Sequence, residues 1–86
     1  MYKIELTKTA RKAYLKLPVQ VRRIVFEKLE YLAENPMALN HNVTRLIDMK
    51  GYYRLRVGDW RVIYRIDLDT LVVEIIKVGH RKEIYQ

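Results

Sequence analysis

From Tyr52 onward the chain alternates between apolar and polar residues, and this period of two constrains its fold more than any other feature. Tyr53, Leu55 and Val57 occupy every second position, with arginines between them. Such alternation predicts a strand with one buried face. The next two residues, Gly58-Asp59, fit a two-residue hairpin turn, because glycine readily adopts the positive φ that such turns need. The alternation then resumes, which predicts an antiparallel hairpin.

The turn sets the register of this hairpin. If Gly58 and Asp59 form the loop, Val57 lies opposite Trp60 and Arg56 lies opposite Arg61. Directly opposed side chains in a sheet are about 5 Å apart at Cβ, so two like charges there repel each other. A sheet selected for stability alone would not contain this pair, and we expect an anion to bind between them.

The same register extends the positive charge along the strands. Arg54 is expected opposite Ile63, and Tyr52 opposite Arg65. Four arginines therefore share one face of the hairpin, while the aromatic core lies on the other. We call this the arginine face; its residues are Arg54, Arg56, Arg61 and Arg65.

Two interpretations of the arginine face are open. It is either a solvated surface with Glu74 and Asp48 as local counter-charges, or a binding site for a phosphate-containing ligand. The formal net charge of the chain is +7, which favours nucleic acid, an anionic membrane or an acidic protein as a partner. The planar fork of arginine binds phosphate bidentately and keeps its charge, so we favour the phosphate site.

The first half of the chain predicts a strand followed by a helical hairpin. Tyr2 to Leu6 alternates, and Thr7 or Thr9 can cap the helix that follows. A proline at position 18 separates this helix from a second one, which ends near residue 35. Residues 37–50 have no clear period and are interpreted as a loop anchored by Leu46 and Ile47.

After a second turn at residues 67–70, Leu71, Val73 and Ile75 are expected to complete the apolar face of a third strand. The predicted fold is α+β: a small single domain spanning residues 1–86, with a strand, a helical hairpin and a three-stranded antiparallel meander (βααβββ), and with the helices on one face of the sheet. The chain has no cysteine, no signal-like apolar run and no stretch long enough to span a membrane, so we expect a cytoplasmic protein without a membrane partner.

The C-terminal residues carry groups that can move protons. His80 lies between Gly79 and Arg81, and Tyr85 follows four residues later. An imidazole or a phenol beside fixed positive charges is suited to acid–base catalysis on a phosphodiester. His41, in the irregular segment, has no comparable neighbours and is interpreted as incidental.

The segment GYYRLRVGDWRVIY, followed by VGHRKEIY, resembles the RelE branch of the RelE/ParE superfamily of type II toxins. The resemblance extends over nearly the whole chain. It implies a RelE-like toxin domain that enters the ribosomal A site and cleaves mRNA. It also implies a cognate antitoxin, expected to be acidic, that wraps the toxin and blocks it.

The resemblance also implies roles for individual residues. Arg61 and Arg81 correspond to arginines that stabilise the cleaved phosphate, and Tyr85 to a tyrosine that orients or deprotonates the 2′-hydroxyl. His80 matches a histidine that some branches use in acid–base work. The RNA-binding residues implied or predicted on this basis are Arg54, Arg56, Arg65 and Lys82. Tyr52 departs from the family, since a basic residue stands at that position in RelE, and the chain is expected to lack the C-terminal helix of some relatives.

The chemistry expected from these residues is metal-free cleavage, in which the 2′-hydroxyl attacks its own phosphate to give a 2′,3′-cyclic phosphate. Glu74 is an alternative base. The sequence has no cluster of metal-ligating residues, so neither a metal nor a small-molecule cofactor is expected. Two other functions remain open: a ParE-like toxin that inhibits DNA gyrase, and a non-catalytic member that binds RNA or an antitoxin.

Overall fold

A computed structural model describes residues 1–37 and 42–84 of the chain. Within these ranges the helices pack against one face of a mixed sheet, as the α+β prediction requires. The elements, in chain order, are β1 (Lys3–Leu6), α1 (Lys8–Leu15), α2 (Val19–Glu34), β2 (Val43–Arg45), β3 (Tyr52–Val57), β4 (Trp60–Asp67), β5 (Val72–His80) and α3 (Arg81–Ile84).

The described strands form a five-stranded sheet in the order β1-β5-β4-β3-β2. The predicted meander of β3, β4 and β5 is confirmed, with both pairs antiparallel. Strand β1 lies parallel to β5, with Lys3 opposite Val72. The two edges of the sheet are thus β1 and β2, and the strands that carry the arginine face lie between them.

The interpretation of residues 37–50 as a loop is wrong in part. Val43–Arg45 forms β2 and pairs with β3, and Val43 lies opposite Leu55. Three residues are too few to show a period of two, which is why the sequence did not reveal this strand. Ile47 is 98% exposed and anchors nothing, whereas Leu46 is half-buried.

The first helix is capped by a threonine, as predicted. Thr7 Oγ1 accepts a hydrogen bond from the Ala10 backbone N–H at 3.1 Å, and the same hydroxyl donates to the carbonyl oxygen of Ile76 at 3.1 Å. The cap satisfies one of the free N–H groups of the first helical turn. It also ties α1 to β5, so helix and sheet share one hydrogen-bonded residue.

The core lies between the helices and the non-arginine face of the sheet. Tyr64 and Ile75 are completely buried there, as is Val25 from α2. Tyr53 and Tyr64 stack with their ring centroids 5.5 Å apart. The other buried apolar side chains are Ala10, Leu17, Leu29, Leu32, Leu55, Val57, Val62, Ile66, Val73 and Val78.

A bulge in the β4–β5 pairing changes the third strand from what alternation predicts. Ile63 pairs with Lys77 but Tyr64 pairs with Ile75, so Ile76 of β5 has no paired residue in β4. Beyond this bulge it is Val78 that enters the core. The prediction that Leu71 lies in the core is wrong: its side chain is 50% exposed, and its φ of 58° places it in the turn.

The Tyr64 hydroxyl has no hydrogen-bond partner among the described residues. Burial, together with the nearby Tyr53, raises the pKa of Tyr64 to about 12. A buried hydroxyl without a partner keeps its desolvation cost uncompensated. We therefore expect Tyr64→Phe to raise the free energy of unfolding by about 1 kcal/mol, measured by urea denaturation. A loss of stability of that size would show that the hydroxyl has a partner in solution.

The turn between β4 and β5 is closed by a carboxylate. Asp67 Oδ1 accepts from the N–H groups of Thr70 at 3.2 Å and Asp69 at 3.0 Å. The hydrogen bonds from Thr70, with smaller contributions from Asp69 and Arg65, lower the pKa of Asp67. These contacts are those of an Asx turn, in which the side chain takes the place of a backbone acceptor.

A lowered pKa in the folded state makes stability depend on pH. The contribution of Asp67 is present above its unfolded pKa of about 3.9 and is lost as pH falls through its lower folded pKa. We expect the urea midpoint of Asp67→Asn to fall less than that of the wild type when the pH is lowered from 5 to 2. Equal pH dependence in the two proteins would contradict this assignment.

Candidate active site

The register of the arginine face is the one the turn predicts. Arg56 lies opposite Arg61, Arg54 opposite Ile63, and Tyr52 opposite Arg65. The turn itself contains Gly58 with a φ of 60°, the left-handed conformation that glycine adopts without strain. The two opposed arginines therefore stand at the end of the hairpin nearest the turn.

The far end of the arginine face is largely neutralised. Arg65 donates to Glu74 Oε1 from Nη2 at 3.2 Å and from Nε at 3.3 Å, and its Nη1 lies 3.8 Å from Asp67 Oδ2. Glu74 is the counter-charge that the solvated interpretation named, so that interpretation holds for this end. The positive charge available to a ligand is concentrated at the other end, near the turn.

Arg61 is held in place by the turn that precedes it. Its Nη1 donates to the carbonyl oxygens of Gly58 at 2.7 Å and Trp60 at 2.9 Å. The residue is only 7% exposed, although it lies on the arginine face. Two backbone acceptors fix the orientation of the guanidinium, so this cation needs no rearrangement before it can stabilise a developing charge beside it.

Arg81 is attached to the same turn from another element. Its backbone N–H donates to the Asp59 carbonyl oxygen at 2.8 Å, and its Nε lies 3.8 Å from Asp59 Oδ1. Its side chain is 54% exposed. The turn thus contacts two arginines: Arg61 of β4, which is buried and hydrogen-bonded to it, and Arg81 of α3, which is more exposed.

Arg56 adds a third cation close to Arg61. It lies directly opposite Arg61, and its Nη2 donates to Asn42 Oδ1 at 3.1 Å. Lys77, opposite Ile63, lies on the same face one pair farther along. Several cations on one face produce a positive potential that favours the binding of an anion.

His80 ends β5 directly opposite Trp60. Its ring meets Trp60 edge-on, with the centroids 5.3 Å apart. The Nδ1 atom accepts from the Lys82 backbone N–H at 3.2 Å, and the His80 N–H donates to Glu83 Oε1 at 3.1 Å. With Nδ1 acting as an acceptor, the neutral ring carries its hydrogen on Nε2. His80 is the last residue of β5.

A single helical turn that the sequence analysis did not predict follows β5. Helix α3 covers Arg81–Ile84 and packs against Gly79: a Cβ atom built on that glycine would lie 3.4 Å from Ile84 Cδ1. Gly79 stands opposite Arg61. Helix α3 therefore packs directly on the strand beside the arginine site.

The structure brings only part of the predicted site together. Arg56, Arg61, His80, Arg81 and Lys82 lie around the turn, Arg54 lies farther along β3, and Arg65 and Glu74 pair with each other at the far end. Tyr85 and His41 lie outside the described residues.

Four residues of this region were missed by sequence reasoning. Asn42 and Lys77 depend on β2 and on the bulge, neither of which has a sequence signal. Asp59 was recognised as a turn residue only. Glu83 could have been found, because an acidic residue three positions after a possible cap is a known signature of a helix start.

The arrangement can bind an anion through donors held by the turn, while the register places the His80 side chain with Trp60 on the opposite face of the sheet from Arg61. Among the described residues there is no group of three or more side chains that could hold a metal ion. None of the helices in these ranges is long and apolar enough to cross a membrane. The chemistry that fits these groups best is recognition of a phosphodiester, with charge stabilisation by guanidinium groups.

Comparison with known families gives a consistent result. A family model described as the ParE toxin of the type II toxin–antitoxin system parDE matches residues 4–85. The toxin RelG of Mycobacterium tuberculosis is 33% identical over 86 residues, which cover 99% of this chain and 97% of RelG. The toxin RelE of the same organism is 31% identical and the match covers 99% of this chain and 87% of that protein.

Solved structures of RelE toxins have the same fold. The isolated Escherichia coli RelE toxin superposes with a TM-score of 0.84 at 28% identity, over 99% of this chain and 92% of that one. A chain of the intact E. coli RelBE toxin–antitoxin complex gives a TM-score of 0.82 at 27% identity, over 93% of this chain and 96% of that one.

Proposed function

The chain belongs to the ParE toxin family of type II toxin–antitoxin systems, on its RelE branch, and from this premise we propose that it is an mRNA interferase. It cleaves mRNA in the ribosomal A site and so inhibits translation in the cytoplasm. A cognate antitoxin blocks it by wrapping the toxin. Support for this partner comes from the similarity to RelE in a complex with its antitoxin. The net charge of +7 makes an acidic antitoxin the complementary partner.

The observation that carries the proposal is the attachment of Arg61 and Arg81 to one turn. Arg61 is bonded to Gly58 and Trp60, and Arg81 to the Asp59 between them. The Arg81 bond to Asp59 comes from the backbone N–H, and its guanidinium Nε lies 3.8 Å from Asp59 Oδ1, so guanidinium groups from two elements approach the same turn. A single phosphodiester placed against this turn could contact both, which is the geometry that transition-state stabilisation requires.

The proposed reaction is attack by the 2′-oxygen of the RNA on the adjacent phosphorus. The 2′-oxygen–phosphorus bond forms and the bond to the 5′-oxygen breaks, which leaves a 2′,3′-cyclic phosphate and a 5′-hydroxyl. Arg61, Arg81 and Arg56 stabilise the negative charge that develops on the phosphorane. Arginine is too basic to transfer protons at neutral pH, so the proton transfers belong to other groups.

His80 and Tyr85 are the proposed proton carriers. His80 can donate to the leaving 5′-oxygen only as the imidazolium, in which Nδ1 carries a hydrogen and no longer accepts from the Lys82 N–H, so the acid role requires that hydrogen bond to open. Tyr85 is proposed to take the proton from the 2′-hydroxyl, a role that rests on the family resemblance. Glu74 is a poor alternative base, since its carboxylate binds Arg65 away from the turn.

The remaining basic residues are proposed to bind the RNA backbone. Arg54 lies on β3 farther from the turn, Lys82 is an exposed residue of α3, and Arg56 can contact RNA as well as the reacting phosphate. Arg65 can contribute only if RNA displaces its carboxylate partners or if its remaining donors suffice. Among these four basic residues we therefore expect Arg65 to contribute least to RNA affinity. The phosphate contacts of the other three should make that affinity fall as the salt concentration rises.

The function is tested by inducing the toxin in cells and mapping the 5′ ends of mRNA. An mRNA interferase gives new ends at fixed positions within codons, and DNA supercoiling stays unchanged. Loss of negative supercoiling without new RNA ends would identify a gyrase inhibitor of the ParE type. Binding of RNA without either effect would identify a non-catalytic member.

A further inference from the structure

Helix α3 is too short to be stable on its own. It contains four residues, Arg81–Ile84, and follows β5 without an intervening loop. A single turn fixes several backbone dihedrals for one intrahelical hydrogen bond, which is unfavourable in isolation. Contacts from outside the helix must therefore hold it, and with it Arg81.

The first of these contacts is a reciprocal cap. Glu83 Oε1 accepts from the His80 N–H at 3.1 Å, and His80 Nδ1 accepts from the Lys82 N–H at 3.2 Å. This is the pattern of a capping box, with histidine in the position usually taken by serine or threonine. Each of the two side chains accepts a hydrogen bond from a backbone N–H at the helix start, where no acceptor is available within the helix.

The second group of contacts fastens the helix to the sheet and to the turn. Ile84 packs over Gly79, and the Arg81 N–H donates to the Asp59 carbonyl oxygen at 2.8 Å. Glu83 Oε1 would also lie 3.6 Å from a Cβ atom built on Gly79. The cap therefore sits at the junction between β5 and the Gly58–Trp60 turn that holds Arg61.

We propose that Glu83 is a positioning residue for the phosphodiester site. Through the His80 N–H it closes the cap that holds Arg81 at the start of α3. This role rests on the proposed RNA cleavage, because it concerns the groups that perform it. Glu83 touches neither RNA nor the reacting atoms; it acts through His80 and Arg81.

The charge of Glu83 supports this role. A carboxylate beside a cluster of cations reduces the positive potential that attracts RNA. A surface selected only for binding RNA would gain from a neutral residue at this position. The hydrogen bond that Glu83 accepts from the His80 N–H explains why an acceptor side chain stands here despite that electrostatic cost.

Two substitutions separate the acceptor from the charge. Glu83→Ala and Glu83→Gln remove the same negative charge, but only glutamine retains an oxygen that can accept from the His80 N–H. We expect Glu83→Ala to lower the single-turnover cleavage rate on programmed ribosomes at least about tenfold, with little change in half-saturating concentration. Glu83→Gln should stay within about threefold of the wild type. Glu27→Ala, an equal change of charge on the exposed side of α2, is the control and should leave the rate unchanged.

Amide hydrogen exchange gives a readout that does not depend on cleavage. In Glu83→Ala the His80, Arg81 and Lys82 amides should exchange about tenfold faster than in the wild type, and in Glu83→Gln they should not. Equal rates of cleavage in the wild type and Glu83→Ala, or an equal loss in both variants, would overturn the positioning role. If the wild type cleaves no RNA, both the proposed function and the positioning role fail. If amide exchange in Glu83→Ala is the same as in the wild type, only the proposed cap is disproved.

Discussion

Arg81→Ala is expected to lower the rate of RNA cleavage by about 10²–10³-fold and to abolish growth inhibition, because it removes one preorganised charge from the transition state. The substitution should barely affect the fold. The side chain is 54% exposed and its ion pair with Asp59 is long, at 3.8 Å. An exposed pair of this kind contributes little to stability. Single-turnover cleavage and thermal unfolding of the same preparation measure the two quantities.

A matched control for Arg81→Ala is Arg23→Ala. Arg23 is an exposed residue of α2, on the helical side of the sheet, so its loss changes the net charge equally without touching the site. We expect the control to cleave RNA at nearly the wild-type rate. If Arg81→Ala is as active as Arg23→Ala, Arg81 does not belong to the site.

Arg61→Ala is expected to reduce cleavage by a similar factor, about 10²–10³, but also to lower stability. Its Nη1 satisfies the carbonyl oxygens of Gly58 and Trp60, and the residue is buried. Removing a buried donor leaves its acceptors without a partner, at a cost of about 1–3 kcal/mol. The rate should therefore be measured at a temperature at which urea denaturation shows the variant to be folded.

Arg61→Lys separates charge from geometry at this position. Lysine keeps the positive charge but lacks the planar fork, so it cannot hold both carbonyls and present a second edge to a phosphate. We expect the lysine variant to recover part of the stability and little of the rate. Full recovery of the cleavage rate would mean that charge alone, not the fixed orientation of the guanidinium, is what Arg61 supplies.

The hairpin register could be predicted because the turn is only two residues long. Once Gly58-Asp59 is recognised, each residue of β3 has one possible partner in β4, and the Arg56–Arg61 pair follows. The resemblance of the same segment to RelE added the toxin family. Local patterns and a family match were therefore enough for the α+β fold and for the register of the arginine face.

What the sequence did not reveal depends on contacts between distant elements. The bulge at Ile63/Tyr64 shifts β5 by one residue, which puts Lys77 on the arginine face and Val78 in the core. Alternation within a single strand carries no information about such a shift. The hydrogen bonds from Arg61 to the backbone of the turn were also not predicted, because backbone carbonyls have no sequence signature.

The α3 cap shows a different limit. The spacing of His80 and Glu83 was visible, but histidine is an unusual cap, and its chemistry drew attention to catalysis instead. The structure assigns the backbone N–H and Nδ1 of His80 to the helix start. The proposed acid role needs a hydrogen on Nδ1 and so competes with the Lys82 hydrogen bond, whereas the bond from the His80 N–H to Glu83 does not depend on the ring.

The central claim is that the arginines around the Gly58–Trp60 turn bind one phosphodiester while its own 2′-hydroxyl attacks it. The most direct measurement uses purified toxin and ribosomes programmed with an mRNA in which the cleaved nucleotide carries a 2′-deoxy sugar. The account predicts cleavage of the all-ribose mRNA to a 2′,3′-cyclic phosphate and no cleavage at the deoxy position. Cleavage of both mRNAs at the same rate would contradict it.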